Sequence, residues 1–301
     1  MINAHLAATL GPMRAPFLLL VPVCVSLGWA AAVHDGYAIE LPHLLLAALG
    51  ALAAHVSVNA LNEYEDFRSG LDLRTERTPF SGGTGTLPAH PDKAHYALVT
   101  GLVSLFVVVL VLVGLYFVEL RGAALLPLGL LGVVTIVLYT RWLTRSPLLC
   151  LLAPGVAFGP LMVLGVYFAL TGHYGATAAA ASLVPLFLVS DLLLINQFPD
   201  READRWAGRN HLLLAWGDRA GISVYGLFLA AAYLSVLLSV VLDALPGWVL
   251  LTLLTLPVAA LAFRGLARHA DEVPALVPHM AQHVALTLVT PALLALGIAL
   301  G

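Results

Sequence analysis

Nine long apolar runs constrain this chain more than any other feature. Each is about 20 residues long, which is the length that an α-helix needs to cross the hydrocarbon core of a bilayer. Hydrophobic residues make up 60% of the 301 residues and charged residues only 10%, with a mean hydropathy of +0.95, more apolar than a soluble domain requires. The short alternating strands of a membrane barrel do not match this pattern. We therefore expect an all-α integral membrane protein. Its predicted spans lie near 14–33, 42–62, 95–117, 122–140, 147–170, 177–197, 220–242, 247–264 and 279–300.

Basic residues predict the orientation of these spans. If the N-terminus is cytoplasmic, only Arg121 of the 14 Lys and Arg residues falls in an outer loop, which satisfies the positive-inside rule. The start of the chain lacks a basic segment followed by a cleavage site, so no cleaved signal is expected. We predict a multi-pass protein of the inner (cytoplasmic) membrane.

No linker divides the chain, so residues 1–301 are predicted to form one polytopic membrane domain. Its two longest polar stretches, about 66–94 and 198–219, are both expected on the cytoplasmic side. The net charge of −3 gives no indication of nucleic acid binding, and no obligate protein partner is evident.

The first polar stretch begins with carboxylates and amides at helical spacing. One helix face carries a polar stripe at spacings of four, three and four residues, which consists of His55, Asn59, Asn62 and Asp66. Glu63 lies beside this stripe, and Asp72 follows Gly70, where we expect the helix to end or bend.

The second polar stretch repeats this geometry, because Asn196, Asp200 and Asp204 follow one another at intervals of four. Two facing stripes of this kind would hold hard cations, and Mg²⁺ suits them because it combines a few carboxylates with water and substrate phosphates. Ordinary solvated or arginine-paired acids are the alternative. Asp191, inside the sixth span, is a separate functional candidate.

The segments NEYEDFRSGLD, TPFSGGTG and NQFPDREADRWAG together resemble the UbiA family of intramembrane prenyltransferases, and within it the 1,4-dihydroxy-2-naphthoate branch. The resemblance implies a UbiA-like bundle of nine helices with two aspartate-rich motifs on the cytoplasmic side. It further implies Mg²⁺-dependent transfer of a polyprenyl group from an isoprenyl diphosphate to an aromatic acceptor, a reaction of EC class 2.5.1. For this branch the acceptor is 1,4-dihydroxy-2-naphthoate, in menaquinone biosynthesis.

The resemblance also assigns roles to individual residues. Two Mg²⁺ ions would be held by Asn62, Glu63, Asp66, Asp72, Asn196, Asp200 and Asp204. The aspartates of this set would be catalytic, together with Tyr139, which would shield an allylic cation. Arginine suits bidentate phosphate contacts, and His55 is placed to contact the acceptor or a metal-bound water. The predicted substrate-binding residues are Arg14, His55, Asn59, Arg68, Arg77, Arg201 and Arg209. Backbone N–H groups of Ser81–Gly85 are further candidates for diphosphate binding.

Three departures from the family pattern leave alternatives open. Glu63 stands where an aspartate is usual, and Arg209 stands where a lysine is usual, and both keep the charge. The Gly-Glu pair of the related branch is replaced by Cys150-Leu151, so the acceptor could instead be 4-hydroxybenzoate, homogentisate or a non-aromatic alcohol. A divalent-cation transporter and a binding subunit without turnover are rival hypotheses. The collection of acids at one face favours a one-sided site over a transport path.

Overall fold

The computed structural model describes residues 4–117 and 123–301, so Arg121 lies outside the described residues. Eight helices in these ranges are long and apolar enough to cross a bilayer, and a shorter apolar helix of 14 residues joins them. The prediction of an all-α bundle with about nine membrane helices is confirmed. In chain order the helices are α1 (Leu20–His34), α2 (Leu41–Ser69), α3 (Ala94–Phe117), α4 (Leu125–Leu138), α5 (Pro147–Thr171), α6 (Ala176–Trp206), α7 (Asp218–Val241), α8 (Gly247–His269) and α9 (Val273–Leu300).

The bundle has a packed interior and an apolar exterior. Large apolar side chains such as Phe106 on α3 and Leu130 on α4 are 61% exposed, as expected of surfaces that face lipid rather than water. The interior is built by α1, α5, α6, α7 and α9. Its largest fully buried side chains include Leu27, Phe168, Leu194, Tyr225 and Met280.

Helices α2 and α6 carry the two polar motifs at their C-terminal ends. The 29 residues of α2 make a helix about 43 Å long, so the apolar part crosses the bilayer and the motif extends to its edge. Gly70 ends α2 in the left-handed conformation, with φ 81° and its N–H bonded to the carbonyl of Phe67. This glycine cap turns the chain back, so that Asp72 returns towards the helix end.

Helix α5 contains a π-helical segment at Ala157–Val163, which follows Pro154 and contains Pro160. Gly155 and Gly159 allow α6 to approach α5 closely. A Cβ atom added to Gly155 would lie 2.0 Å from the carbonyl oxygen of Leu186, and one added to Gly159 would lie 2.4 Å from that of Ser182. The Gly and Pro residues of this segment therefore permit close packing with a local distortion of the helix. The π-turn aims Phe158 at α2, where its ring meets that of His55.

A hydrogen-bonded clamp closes the end of the bundle opposite the motifs. Asp35, which directly follows α1, accepts hydrogen bonds from the Tyr167 hydroxyl at 2.5 Å and the Thr177 hydroxyl at 2.6 Å. These groups belong to the end of α5 and the start of α6. The clamp therefore ties three neighbouring elements together far from the motif residues.

Candidate active site

A cavity of about 350 Å³ opens among α2, α3, α4, α5 and α6. Most of its wall is apolar, including Phe17, Val111, Leu128, Leu161 and Leu192. Polar side chains are concentrated where the two motif helices end. Those lining the cavity near α2, α6 and the end of α4 are Arg14, His55, Asn59, Asn62, Tyr139 and Asn196. A space of this kind can take a long apolar group and a polar head together.

Glu63 connects three separate segments at the mouth of this cavity. Its carboxylate is fully buried, and Oε2 accepts hydrogen bonds from Arg14 Nε at 3.1 Å and Nη2 at 2.9 Å. Oε1 accepts the Thr84 N–H at 2.8 Å and the Thr84 hydroxyl at 2.5 Å. Glu63 thereby holds the segment before α1 and the Ser81–Gly85 loop against α2.

Arg14 reaches Glu63 from a backbone conformation that few non-glycine residues adopt, with φ 54°. Such conformations cost free energy and persist where the surrounding structure fixes them. Arg14 also lines the cavity. The ion pair therefore fixes a guanidinium group at the cavity wall, where it can meet an anionic ligand.

Arg209 joins the motif of α2 to that of α6. Its Nη2 atom donates to Asp66 Oδ1, and its Nη1 atom donates to Asp204 Oδ1 at 2.9 Å. Burial disfavours the charged guanidinium, but Asp66 and Asp204 outweigh this effect and raise the pKa of Arg209. His211 lies beside the same group, with Nε2 3.3 Å from Asp204 Oδ2. The two acidic motifs therefore meet around the guanidinium group of Arg209.

Several oxygen atoms next to Arg209 have no hydrogen-bond partner among the described residues. They are Asp72 Oδ2, Asn196 Oδ1 and Asp200 Oδ1, and all are buried. Burial, followed by the charges of Asp66 and Glu63, raises the pKa of Asp72 to about 7. A buried polar atom without a partner is costly, so this group of oxygens is suited to receive an additional positive charge.

Asn59, Asn62 and Tyr139, which the sequence proposed as site residues, line the cavity wall. Asn59 donates to the Met13 carbonyl at 3.0 Å, and Asn62 donates to the Thr140 hydroxyl at 3.2 Å. Burial raises the pKa of the Tyr139 hydroxyl, so its ring stays neutral. An aromatic ring at this position can face a developing positive charge.

Other predicted site residues lie further from this centre. Arg201 forms ion pairs with Asp218 and, at 3.3 Å, with Asp271. Arg68 is exposed and lies over the Tyr64 ring. For both residues a diphosphate contact stays a prediction from sequence.

The Ser81–Gly85 loop differs from the expectation that its N–H groups are free for a ligand. The Thr84 N–H is bonded to Glu63 and the Ser81 N–H to the Thr78 hydroxyl. Arg77 donates to the Asp72 carbonyl at 3.2 Å and packs against Gly85. The loop therefore holds Arg77 next to Asp72.

Asp191 lies in the interior but outside the cavity wall. It is fully buried, and neither carboxylate oxygen has a hydrogen-bond partner in the described part of the chain. At the position where the related branch has an acid, Cys150 accepts a hydrogen bond from Gln197 at 3.4 Å, and Leu151 is buried in the core. No other acid replaces it on the cavity wall among the described lining residues.

Two aromatic residues of the cavity, Phe80 and Phe158, were not predicted as site residues. Phe80 stands directly before the SGGTG loop, so its position in TPFSGGTG was the available signal. Phe158 resembles any other apolar residue of a membrane span. Only the π-turn, which sequence spacing does not reveal, directs it into the site.

The cavity is largely apolar, and its polar end lies next to the two acidic motifs and Arg14, so it has the polarity to take a ligand with a long apolar part and a charged head. Residues 19–278 match the UbiA prenyltransferase family, and the chain belongs to this family. It is therefore a multi-pass membrane prenyltransferase, and the transporter hypothesis is set aside.

One curated relative and two solved structures are similar to this chain over most of its length. The chain is 26% identical over 242 residues to a 1,4-dihydroxy-2-naphthoate octaprenyltransferase of Bacillus subtilis (strain 168), covering 78% of this chain and 74% of the relative. The fold is similar to that of digeranylgeranylglyceryl phosphate synthase, with a TM-score of 0.68 at 14% identity over 99% of this chain and 100% of the other. A UbiA homologue from Archaeoglobus fulgidus bound to GPP and Mg²⁺ aligns with a TM-score of 0.64 at 12% identity, over 97% and 99% of the two chains.

Proposed function

We propose that this protein transfers a polyprenyl group from an isoprenyl diphosphate to 1,4-dihydroxy-2-naphthoate in a Mg²⁺-dependent reaction at the cytoplasmic face of the inner membrane. One observation carries the proposal. The polar end of the apolar cavity is lined by Arg14, Asn62 and Asn196, and Asp66 and Asp200 follow one helical turn beyond the two asparagines. Together these residues and Asp72 form a layer of oxygens, of which those of Asp72, Asn196 and Asp200 include buried atoms without a partner among the described residues. This layer matches an anionic head, and the apolar wall matches an isoprenoid chain.

The residues of this layer fit Mg²⁺ by their chemistry. All are oxygen donors, which Mg²⁺ prefers, and three of their oxygens are buried without partners. The ligands that we propose are Asn62, Asp66, Asp72, Asn196, Asp200 and Asp204. Glu63 belongs to a different group, because Arg14 and Thr84 already engage both of its oxygens.

Arg209 occupies the space between the two motifs in this structure. Asp66 and Asp204 both bond to this guanidinium, and no cluster of three or more His, Cys, Asp or Glu residues placed to hold a metal is found within residues 4–117 and 123–301. We propose that Arg209 leaves this position when the site is loaded and then donates to the diphosphate. Mg²⁺, when bound, would neutralise the leaving group.

Arg14 and Arg77 would complete the binding of the diphosphate. Arg14 is fixed at the cavity wall by Glu63, and Arg77 is held beside Asp72. Guanidinium groups stabilise the negative charge that develops on the diphosphate as its bond to the allylic carbon breaks. The diphosphate departs with the electron pair, and the positive charge stays on the isoprenyl chain.

Tyr139 and the apolar wall would protect this cation until the acceptor reacts. Tyr139 lies on the cavity wall, and most of the side chains that line the cavity with it are apolar. A ring carbon of the acceptor attacks the allylic carbon, and the ring regains aromaticity by losing a proton. Exclusion of water from this region prevents hydrolysis of the cation.

The acceptor assignment rests on the Bacillus relative and on the motif resemblance. The replacement of the related branch's acid by Cys150-Leu151 favours testing other acceptors beside it. A non-aromatic alcohol is the second candidate, because the fold is also that of digeranylgeranylglyceryl phosphate synthase.

The test is product analysis by mass spectrometry with purified protein, Mg²⁺ and farnesyl or geranylgeranyl diphosphate. The acceptors are 1,4-dihydroxy-2-naphthoate, 4-hydroxybenzoate, homogentisate and a glycerol phosphate alcohol. We expect a prenylated naphthoate product that disappears with EDTA. Prenylation of a different acceptor alone would refute the acceptor, whereas no product with any acceptor and no diphosphate release would refute prenyl transfer at this site.

A further inference from the structure

His55 lies on the cavity wall and has a buried ring nitrogen without a hydrogen-bond partner among the described residues. The residue is 5% exposed, and this nitrogen is Nδ1. It lies seven residues before Asn62 on α2, or about 10 Å along the helix axis from the layer that we assign to the diphosphate. His55 therefore belongs to the part of the cavity beyond the leaving group.

The hydroxyls of Thr135 and Thr287, which also line the cavity, already donate hydrogen bonds within their own helices. The Thr135 hydroxyl donates to the Leu131 carbonyl at 2.7 Å, and the Thr287 hydroxyl donates to the His283 carbonyl at 2.9 Å. Asn59 donates to the Met13 carbonyl. Among the described lining residues, His55 Nδ1 is the one buried side-chain nitrogen without a hydrogen-bond partner.

Phe158 fixes the orientation of the His55 ring. The two ring centroids are 4.7 Å apart and the ring planes are inclined by 77°, which is a favourable edge-to-face arrangement. The π-turn of α5 holds Phe158 in place. The imidazole is thus positioned by apolar contact and keeps its nitrogen free.

We propose that His55 Nδ1 accepts a hydrogen bond from a ring hydroxyl of the aromatic acceptor and positions the acceptor's reactive carbon towards the allylic carbon. The inference rests on the proposed function. An isoprenoid tail has no hydrogen-bonding group, and the diphosphate has its own layer of ligands. A phenolic hydroxyl taken into an apolar cavity requires a partner, and His55 supplies it.

The test compares acceptors with and without this hydroxyl. Values of kcat/KM are measured for 1,4-dihydroxy-2-naphthoate and its two mono-methyl ethers at saturating isoprenyl diphosphate. We expect the wild type to prefer the free hydroxyl over one of the ethers by about 10-fold to 100-fold, the value of a hydrogen bond to a buried group. In His55→Leu this preference is expected to fall to within about 3-fold, while the KM for isoprenyl diphosphate stays unchanged.

Two conservative variants identify the nitrogen. The side-chain oxygen of His55→Asn can occupy the place of Nδ1, whereas that of His55→Gln reaches the place of Nε2. We expect His55→Asn to retain most of the preference for the free hydroxyl and His55→Gln to lose it. These two variants therefore test the role of Nδ1 even if His55→Leu does not fold. Thr287→Val is the matched control, and its preference for the free hydroxyl should equal that of the wild type.

Two results would overturn the inference. One is a His55→Leu enzyme that keeps the wild-type preference, and the other is a His55→Asn enzyme that loses it together with His55→Gln. A wild type that prenylates none of these aromatic acceptors would overturn the proposed function, and the role of His55 with it. Mg²⁺-dependent binding of isoprenyl diphosphate, measured on each variant, separates these cases.

Discussion

Carboxylates at the two ends of the bundle differ in both burial and hydrogen bonding. Asp35 at one end is exposed, yet both of its oxygens accept short hydrogen bonds. At the motif end, Asp72 and Asp200 each have a buried oxygen without a partner. The carboxylate of Asp35 is accessible to water, whereas the buried oxygens of Asp72 and Asp200 are not.

We propose that this difference separates a structural acid at one end of the bundle from ligand-binding acids at the other. An exposed acid with complete hydrogen bonds ties elements together and contributes a modest amount to stability. Buried oxygens without partners cost free energy, and a bound ligand can offset that cost. Glu63 shows that burial alone is insufficient, since it is fully buried and fully bonded.

The largest effect is expected from Asp200→Ala. The variant removes an unpartnered oxygen of the motif end, so prenyl transfer should fall by about a thousandfold or more while the melting temperature in detergent stays close to that of the wild type. Product formation and thermal unfolding, measured together, check this. Full activity in the variant would mean that Asp200 has no part in metal or diphosphate binding.

Glu63→Gln should produce an effect of a different kind. Removing the charge breaks the buried pair with Arg14 and weakens the hold on Thr84, at a cost of about 3 kcal/mol in the free energy of unfolding. Activity should fall together with stability, because Arg14 and the loop both move. A stable variant that has lost only Mg²⁺-dependent binding would instead return Glu63 to the metal ligands.

Asp35→Asn should have the smallest effect. One or both hydrogen bonds of the clamp weaken, which costs about 1 kcal/mol, and kcat/KM per folded molecule stays at the wild-type level. Thermal unfolding and steady-state kinetics give the two values. A large loss of activity at unchanged stability would contradict the assignment of this end to structure alone.

The outline of this account could be predicted from the sequence for physical reasons. Apolar runs of bilayer length specify membrane helices, and the spacing of Asn196, Asp200 and Asp204 places them on one helix face. The same spacing led us to expect two facing acidic stripes. In the structure Arg209 bonds to Asp66 of one motif and to Asp204 of the other.

The remainder depends on contacts between segments far apart in the chain. Spacing cannot show that Glu63 is occupied by Arg14 and Thr84, or that Arg201 pairs with Asp218 instead of facing the cavity. The π-turn that places Phe158 against His55 is equally hidden, because it arises from the packing of α5 against α6. Long-range pairing, rather than local propensity, decides these details.

The central claim is that the unpartnered oxygens at the motif end bind the diphosphate through Mg²⁺. The most direct measurement is equilibrium binding of an isoprenyl thiodiphosphate, which reacts slowly, to the wild type and to Asp200→Ala, each with Mg²⁺ and with EDTA. We expect tight binding only in the wild type with Mg²⁺, and equally weak binding in the other three samples. Binding to the wild type that is unaffected by EDTA, or binding to Asp200→Ala that equals the wild type with Mg²⁺, would contradict the claim.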